Sequence, residues 1–221
     1  LSTLDFVVFA SSMLVCRLGY KPSSEADYCP NTPYGKSKVI GEELIRSSNI
    51  NFPWVIVRPT SIWGPWFATP YRDFFDVIRK GLYVHPKGIR VRRSYGFIYN
   101  SIFQLSRISD RLNDELVGKT IYLADYHPIE LKSWSENIQK NLNIRPIREV
   151  PIQVFKIAAK LGDILKNIGY KNPLMSTFRL NNMLTPMEHN TTPLKDYCGD
   201  VPYSIDEGVR ITCEWLQTHK K

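Results

Sequence analysis

Short, continuous apolar runs alternate along the chain with longer segments in which apolar residues recur every three or four positions. The runs Leu4–Ala10 and Trp54–Arg58 are typical of strands that are buried on both faces of a parallel sheet. Between them, the pattern predicts a loop to about Pro33 and then a helix over Tyr34–Ser48. The apolar face of this helix is expected to consist of Val39, Ile40, Leu44 and Ile45. Strand, loop, helix and strand in this order predict a βαβ unit, and therefore an α/β fold with a parallel sheet.

The remainder of the chain is predicted to be mainly helical. Helical apolar spacing occurs over Tyr71–Lys80, Ile98–Leu112, Glu130–Leu142 and Gln153–Ile168, and a further strand is predicted at Thr120–Ala124. A final helix begins after Ser204, whose hydroxyl can accept a hydrogen bond from the first turn. Asp206 and Glu207 add two carboxylates to that turn, where the helix dipole favours negative charge.

The composition is that of an ordinary globular protein. Apolar residues make up 43% and charged residues 23% of the 221 residues, which excludes a disordered tail. No apolar run reaches the roughly 18 residues that a membrane-spanning helix needs, so no membrane partner is expected. At about 150 residues per domain, this length fits one large domain or two small ones.

The chain is basic, with 29 lysine and arginine residues against 21 acidic ones and a net charge of +8. Such an excess fits a nucleic acid, an anionic membrane or a polyanionic ligand such as a nucleotide, and equally a solvated surface rich in lysine. No basic strand motif rich in aromatic residues occurs, so no nucleic acid partner is expected. No metal site is predicted, because metal-ligand spacing is absent among the cysteines Cys16, Cys29, Cys198 and Cys213. Because it does not open with a secretory signal, the chain is expected to be cytoplasmic.

The segment Tyr34–Lys38 carries the clearest candidate chemistry. Tyr34 and Lys38 are four residues apart, so on a helix both side chains point from the same face. A lysine ammonium beside a phenol stabilises the phenolate, which can then accept a proton from a substrate hydroxyl. Ser12 follows the first predicted strand, at the edge where open α/β sheets bind ligands, and its hydroxyl could hold the same substrate oxygen. Together these groups would support removal of a hydroxyl proton while a hydride leaves the same carbon for a nicotinamide.

A tyrosine four residues before a lysine is common on helix surfaces, so the order of the surrounding segments carries more information. In that order, the chain resembles the extended short-chain dehydrogenase/reductases, the NAD-dependent epimerase/dehydratase family that acts on nucleotide sugars. The segments that carry the resemblance are Phe9–Ser12, Pro33–Lys38, Arg58–Pro65 and Pro202–Val209. They are similar, respectively, to the family's serine strand, its active-site helix, the strand and turn that follow, and its closing helix.

The resemblance implies NAD or NADP as cofactor and a role for each matching residue. Tyr34 would be the general acid or base, and Lys38 would tune it and bind the nicotinamide ribose. Ser12 would hold the reacting sugar hydroxyl. Thr60 would lie where the backbone approaches the nicotinamide amide.

The implied substrate contacts are Ser12, Ser61 and Arg93. Ser61 stands where the family usually has a substrate-contacting asparagine. Arg93 matches an arginine that commonly contacts the nucleotide diphosphate, for which a guanidinium offers a planar fork of donors, although a solvated loop arginine fits equally. Related dehydratases and decarboxylases carry acidic residues directly after the serine, whereas this chain has Met13 and Leu14, which cannot transfer protons. Oxidation and re-reduction at one carbon, by an epimerase or ketoreductase, is therefore favoured.

The family's dinucleotide fingerprint, a glycine-rich turn after the first strand, does not occur in this sequence. The resemblance therefore implies an N-terminally truncated chain that lacks about 90 residues in three β–α units, and a chain that is inactive alone is one expectation. Residues 1–64 are expected to form the C-terminal part of a Rossmann-like domain with the catalytic helix. Residues 65–221 would form mainly a smaller substrate-binding lobe, with about 98–125 returning to the first domain. A homodimer that binds a nucleotide-sugar substrate is the expected form.

Two other functions fit the same residues. A reductase of an apolar, non-sugar substrate would belong to the same superfamily, but it would have an apolar pocket and no use for Arg93. A binding or regulatory protein would retain the fold without turnover.

Overall fold

A computed structural model describes residues 5–110, 115–170, 173 and 175–219 of the chain. Leu4 of the first predicted strand and the last two residues of the helix predicted over Ile98–Leu112 lie outside these ranges. The α-helices are α1 (Pro33–Ser47), α2 (Tyr71–Arg79), α3 (Ile98–Asp110), α4 (Leu131–Asn141), α5 (Ile152–Asn167), α6 (Thr177–Leu184), α7 (Thr192–Cys198) and α8 (Ile205–Thr218). The strands are β1 (Val7–Ala10), β2 (Trp54–Pro59), β3 (Ser61–Trp63), β4 (Val84–Pro86), β5 (Arg92–Arg93), β6 (Tyr95–Phe97), β7 (Thr120–Leu123), β8 (Ile129–Glu130) and β9 (Arg148–Val150). Within the described ranges, no helix is long and apolar enough to cross a bilayer.

A parallel sheet with the strand order β1-β2-β7 carries the first predicted elements. Val8 pairs with Val55 and Val57 pairs with Ile121, so all three strands run in the same direction. α1 connects β1 to β2, as a βαβ unit requires. Val55 and Ile56 are fully buried, which explains why β2 is a continuous apolar run. The predicted α/β class and parallel sheet are confirmed.

A second core is built from aromatic rings. The ring centroid of Trp63 lies 5.0 Å from that of Phe97 and 5.2 Å from that of Trp134. α8 lies directly on this cluster through Gly208, because a Cβ at that position would be 2.9 Å from Trp63 and 3.1 Å from Phe97. The helix begins where the sequence predicts, with the hydroxyl of Ser204 accepting a hydrogen bond from its first turn.

The buried face of α1 differs from the prediction. Ile40 and Leu44 are each 64% exposed, although the apolar pattern assigned them to the core. The positions that face inward are Gly35, Val39 and Glu42. A charged side chain therefore occupies the centre of the packed face, and its buried partner, described below, is what makes this possible.

Candidate active site

Tyr34 and Lys38 lie one turn apart at the start of α1. The helix begins at Pro33 because the hydroxyl of Thr32 accepts a hydrogen bond from the backbone N–H of the first turn, and proline suits the first helical position. Tyr34 is 52% exposed. The Lys38 Nζ lies 5.7 Å from the centroid of the Tyr34 ring and donates a hydrogen bond to the carbonyl oxygen of Ala10 at 3.0 Å. The ammonium therefore sits between the phenol and the carboxyl end of β1.

The first turn of α1 touches the segment that follows β1. A Cβ on Gly35 would lie only 2.2 Å from the carbonyl oxygen of Leu14, which is a backbone atom and cannot rotate away. Only glycine allows the helix to approach this closely. The glycine beside Tyr34 thus brings the tyrosine and the Ser12 segment together.

Ser12 lies at the carboxyl end of the parallel sheet. Its side chain is buried, and its Oγ accepts a hydrogen bond from the backbone N–H of Leu14 at 3.1 Å, which caps the short 3₁₀ turn Met13–Val15. A hydroxyl that accepts in this way retains its own hydrogen for donation. The neighbouring Ser11 points to the opposite side, where its Oγ donates to Glu42 Oε1 at 2.5 Å.

Glu42 and Arg58 form a buried ion pair beneath the site. The Arg58 Nε donates to Glu42 Oε1 at 2.9 Å and the Nη2 to Oε2 at 2.7 Å, while each side chain is 1% exposed. Ser11 and Tyr28 donate two further hydrogen bonds to the same carboxylate. Burial by itself would raise the pKa of Glu42, but the hydrogen bonds from Arg58 and Ser11 and the arginine charge outweigh it and hold the pKa below its usual range. Glu42 is therefore a carboxylate throughout the neutral range.

This ion pair joins the elements that carry the candidate residues. Glu42 belongs to α1, Arg58 to β2, and Ser11 follows β1. The sequence analysis does not single out Glu42. Its position four residues after Lys38 places it on the same side of α1 as Lys38, and this spacing could have indicated that it faces the site. The Nη2 of Arg58 also donates to the carbonyl oxygen of Glu25 at 2.6 Å, so the loop before α1 is held by the Arg58 guanidinium as well.

Thr60 follows β2 at the same edge of the sheet. Its backbone N–H and its hydroxyl both donate to the carbonyl oxygen of Leu123, each at 3.1 Å. The side chain is buried, so its contribution is to fix the end of β2 against the end of β7. Its backbone therefore lies in a defined position at the end of β2, and β1, which Ser12 follows, is the other neighbour of β2.

Ser61 and Arg93 line one cavity of about 250 Å³. Aromatic and apolar side chains make up most of its remaining wall: Trp63, Tyr71, Phe74, Tyr83, Tyr95, Leu131, Trp134 and Met183. Ser61 is buried and directly follows Thr60, so the wall of this cavity begins at the end of β2. A larger cavity of about 570 Å³ lies beside the start of α8 and contains none of the predicted site residues.

The guanidinium of Arg93 is held by backbone carbonyl groups. Its Nε and Nη2 donate to the carbonyl oxygen of Thr185 at 3.1 and 3.0 Å, and Nη2 also contacts that of Asn182. Both carbonyls lie at the end of α6, where a cation interacts favourably with the helix dipole. Arg93 thus holds the end of α6 in the cavity wall. This structural role adds to the diphosphate contact and the solvated loop position between which the sequence does not decide.

The six predicted residues therefore fall into two adjoining groups. Ser12, Tyr34, Lys38 and Thr60 gather at the carboxyl edge of the sheet, and Ser61 and Arg93 line the neighbouring cavity. No cluster of metal-ligating side chains occurs within the described residues. The geometry supplies an exposed phenol, a fixed ammonium and a buried hydroxyl beside an apolar cavity, which are parts suited to moving a proton at a substrate oxygen.

A protein-family comparison matches most of the first half of the chain. The model NAD_binding_4, described as Male sterility protein, matches residues 19–105. This range contains Tyr34, Lys38, Thr60, Ser61 and Arg93. Comparison of the sequence with curated proteins gives no match.

Solved structures share the fold at low sequence identity. The UDP-glucuronic acid 4-epimerase from Bacillus cereus in complex with NAD superimposes with a TM-score of 0.66 at 16% identity, over 99% of this chain and 63% of its own. RMD from Pseudomonas aeruginosa in complex with NADPH gives 0.66 at 14% identity, over 97% and 67%. An NAD-dependent NDP-hexosamine 5,6-dehydratase involved in tunicamycin biosynthesis gives 0.65 at 17% identity, over 97% and 64%. These likenesses confirm the predicted Rossmann-like fold, and the chain spans about two thirds of the length of these proteins.

Proposed function

We propose that the chain belongs to the extended short-chain dehydrogenase/reductase family and that it oxidises and re-reduces one carbon of a nucleotide sugar by hydride transfer, as an epimerase or ketoreductase. Its cofactor is NAD or NADP. The observation that carries the proposal is the Lys38 ammonium, which lies between the Tyr34 ring and the carbonyl oxygen of Ala10. In this position a fixed positive charge faces the phenol at the ligand-binding edge of the sheet.

In the proposed reaction, the Tyr34 hydroxyl exchanges a proton with the reacting hydroxyl of the sugar. The Lys38 Nζ, 5.7 Å from the centroid of the Tyr34 ring, places a positive charge beside the phenol during this exchange. The Ser12 hydroxyl donates a hydrogen bond to the same substrate oxygen and holds it in line with the phenol. A nicotinamide held at Lys38 and Thr60 would supply the hydride acceptor. The proton would leave the hydroxyl oxygen and the hydride would leave the carbon that bears it, so that a ketone results.

The residues that are present fit the nicotinamide end of this cofactor. Lys38 uses one of its three N–H donors on Ala10, so donors remain for a ribose hydroxyl. The Tyr34 side chain is half exposed beside it, and the backbone of Thr60 lies at the end of the next strand. Within the described residues, no glycine-rich turn leads from a strand into a helix, so the phosphates of the cofactor have no cradle of that kind here.

The proposal includes a domain organisation. Residues 1–64 would contribute the cofactor side of the site, and residues 65–221 mainly a substrate lobe, with about 98–125 belonging to the cofactor side. Most residues of the cavity wall, Arg93 among them, belong to the second part, which supports a substrate position there. We further propose a cytoplasmic homodimer, since nucleotide sugars and nicotinamide cofactors are cytoplasmic metabolites.

A second candidate is a reductase of an apolar, non-sugar substrate. The specific observation in its favour is the cavity itself. Its wall is mostly aromatic, and Arg93, the one arginine among the described residues that line it, already donates to backbone carbonyls. Such a wall stabilises an apolar group by burial and offers a diphosphate few unoccupied donors. The acid–base residues would be the same in both reactions.

The test uses the complete natural polypeptide that contains this chain. Nucleotide sugars and apolar ketones are screened for cofactor oxidation or reduction, and nucleotide sugars also for epimer exchange. Replacing Tyr34 by phenylalanine should lower turnover by about 10²–10⁴-fold with the fold unchanged, because the proton then lacks its acceptor. Tyr99→Phe is the matched control, since Tyr99 packs on the Phe97 ring away from Lys38. Full activity in Tyr34→Phe would remove Tyr34 from the reaction, and cofactor binding without any turnover would identify a binding protein.

A further inference from the structure

Helix α5 leaves a row of large apolar side chains in solvent. It packs on the rest of the molecule through Phe155, Ala159 and Gly162, and a Cβ at Gly162 would lie 1.7 Å from a backbone oxygen of the segment before α6. The unpacked residues are between 43% and 75% exposed. We call them the α5 apolar face: Val154, Ile157, Leu161, Ile164, Leu165 and Ile168.

The α5 apolar face is continuous and distinct from the face that packs. At 3.6 residues per turn, its six positions fall within an arc of about 120° around the helix. The buried positions Phe155, Ala159 and Gly162 form a separate, narrower arc on another side of the helix. Single exposed apolar residues are ordinary on protein surfaces, but a contiguous row of this length marks a binding surface.

The charges beside this face are positive. Lys156 and Lys160 are exposed and lie along one border of the apolar arc, and Lys166 follows near the end of the helix. The helix has one carboxylate, Asp163, and it accepts a hydrogen bond from the backbone N–H of Thr177 at 3.1 Å. Within the described residues, no ion pair engages Lys156 or Lys160. The surface thus combines an apolar row with uncompensated positive charge.

We propose that α5 binds the surface of an anionic membrane, lying parallel to it with the α5 apolar face among the acyl chains and Lys156 and Lys160 on the lipid phosphates. A helix with an apolar face bordered by lysines has the composition of an interfacial membrane helix. A bilayer supplies both complements at once, an apolar layer and negative headgroups. A second copy of this chain would supply the apolar surface but would bring the same lysines against each other.

This inference is independent of the proposed reaction. The sequence predicts no membrane partner because it lacks a spanning segment, but a helix that lies on a membrane does not cross it. The six side chains are large enough for binding, since each Leu or Ile moved out of water favours binding. The cytoplasmic leaflet, which is rich in anionic lipid, is the matching surface.

Sedimentation of the complete polypeptide with lipid vesicles tests the proposal without any measurement of turnover. Vesicles of phosphatidylcholine and phosphatidylserine in equal parts should bind the protein, and vesicles of phosphatidylcholine alone should bind it more weakly. The triple variant Ile157→Gln/Leu161→Gln/Ile164→Gln should bind about a hundredfold more weakly, because three apolar anchors are lost. The variant Lys156→Gln/Lys160→Gln should lose about 25-fold on the mixed vesicles, roughly fivefold for each lysine.

The matched control is Leu82→Gln/Ile102→Gln, which removes two apolar side chains of similar exposure, 61% and 54%, outside α5. It should bind vesicles as the wild type does. Unchanged circular dichroism and thermal unfolding of each variant show that the fold persists. Failure of the wild type to sediment with the mixed vesicles would overturn the proposal, as would undiminished binding by the triple variant. Equal binding to neutral vesicles, with no effect of the lysine substitutions, would overturn the assignment of an anionic surface. A wild-type dimer that the triple variant converts to a monomer, without vesicle binding, would instead assign the face to a second copy.

Discussion

Arg58 and Glu42 are joined by two parallel hydrogen bonds, 2.9 and 2.7 Å long, at a point where both side chains are 1% exposed. The pair links the helix of Tyr34 and Lys38 to the strand that ends at Thr60. Because Ser11 donates to the same carboxylate, the strand end that carries Ser12 is held as well. The relative positions of the proposed proton-moving groups therefore depend on an ion pair that takes no part in the proposed reaction.

The first prediction concerns this ion pair. Glu42→Leu should destabilise the protein by about 3–5 kcal/mol, because it leaves the Arg58 guanidinium buried without a counter-charge. The double variant Glu42→Leu/Arg58→Met should lose less than the sum of the single losses, since no buried charge remains. Urea unfolding of the four proteins gives the free energies. Additive losses would show that the two side chains act independently.

The second prediction concerns two glycines of α1. Gly35→Ala should lower the free energy of unfolding by about 1–3 kcal/mol and reduce turnover, because its Cβ would collide with the Leu14 carbonyl oxygen and push Tyr34 away from Ser12. Gly41→Ala is the control in the same helix, where nothing lies within 4 Å of the added Cβ. It should stabilise the protein by about 0.5–1 kcal/mol through helix propensity. Urea unfolding and steady-state turnover measure both, and a stable, active Gly35→Ala would contradict the close approach.

The third prediction is a pH dependence that comes from His189. Its ring stacks on Tyr122 with centroids 4.0 Å apart, and burial, aided by the charge of Arg58, lowers its pKa from 6.5 to about 4. Between these values the unfolded chain binds a proton that the folded chain does not. Above about pH 6.5, His189 therefore does not change the free energy of unfolding. As the pH falls from 6.5 toward about 4, it lowers that free energy by on the order of 3 kcal/mol.

Asp125 titrates with the opposite sign in the same range, so the measurement is a difference between variants. Burial raises its pKa from 3.8 to about 6 against the hydrogen bonds from Asn100 and the Phe97 backbone, so its contribution falls as the pH rises. His189→Gln retains Asp125, and the wild type minus this variant isolates the histidine. The difference in unfolding free energy should change steadily between about pH 6.5 and 4. A difference that is flat with pH would contradict the assigned shift.

The fourth prediction distinguishes the two candidate substrates. Arg93→Leu should raise KM for a nucleotide sugar by about 10- to 100-fold if the guanidinium contacts the diphosphate, since a hydrogen bond to a charged group is worth about 1.5–3 kcal/mol. With an apolar substrate, KM should remain unchanged. Arg92→Leu is the control, because Arg92 is its exposed neighbour, with its side chain 56% exposed. Urea unfolding of both variants separates a substrate effect from the loss of the contacts between Arg93 and the end of α6.

The sequence predicts the long elements well because each buries a recognisable pattern. β1 and β2 are continuous apolar runs. β2 is buried as the pattern predicts, whereas the prediction that β1 is buried on both faces was wrong, because β1 lies at the edge of the sheet, is only partly buried and ends at an exposed Ala10. α8 begins at Ser204 because the capping residues stand at the required spacing. The short strands β3 to β6 were not predicted, since two or three residues carry no periodicity and their pairing depends on the tertiary fold.

The parts that the sequence does not predict depend on partners distant along the chain. The prediction that Ile40 and Leu44 face the core was wrong, because both remain exposed. Glu42 is buried instead, since it pairs with Arg58, sixteen residues away. The carbonyl groups that hold Arg93 lie about ninety residues beyond it. A sequence pattern assigns every charged residue to the solvent-exposed surface. Only the folded structure shows which charged side chains are buried in an ion pair.

Gly208 makes the proposed substrate cavity depend on a late stage of biosynthesis. Trp63 forms part of the cavity wall, yet the helix that covers it is made some 140 residues later, since its contact with Trp63 passes through Gly208. As a chain leaves the ribosome in order from its N-terminus, the proposed acid–base residues of α1 emerge long before this wall can be completed. A ribosome-stalled or prematurely terminated product would therefore carry Tyr34 and Lys38 without a formed place for the substrate beside them.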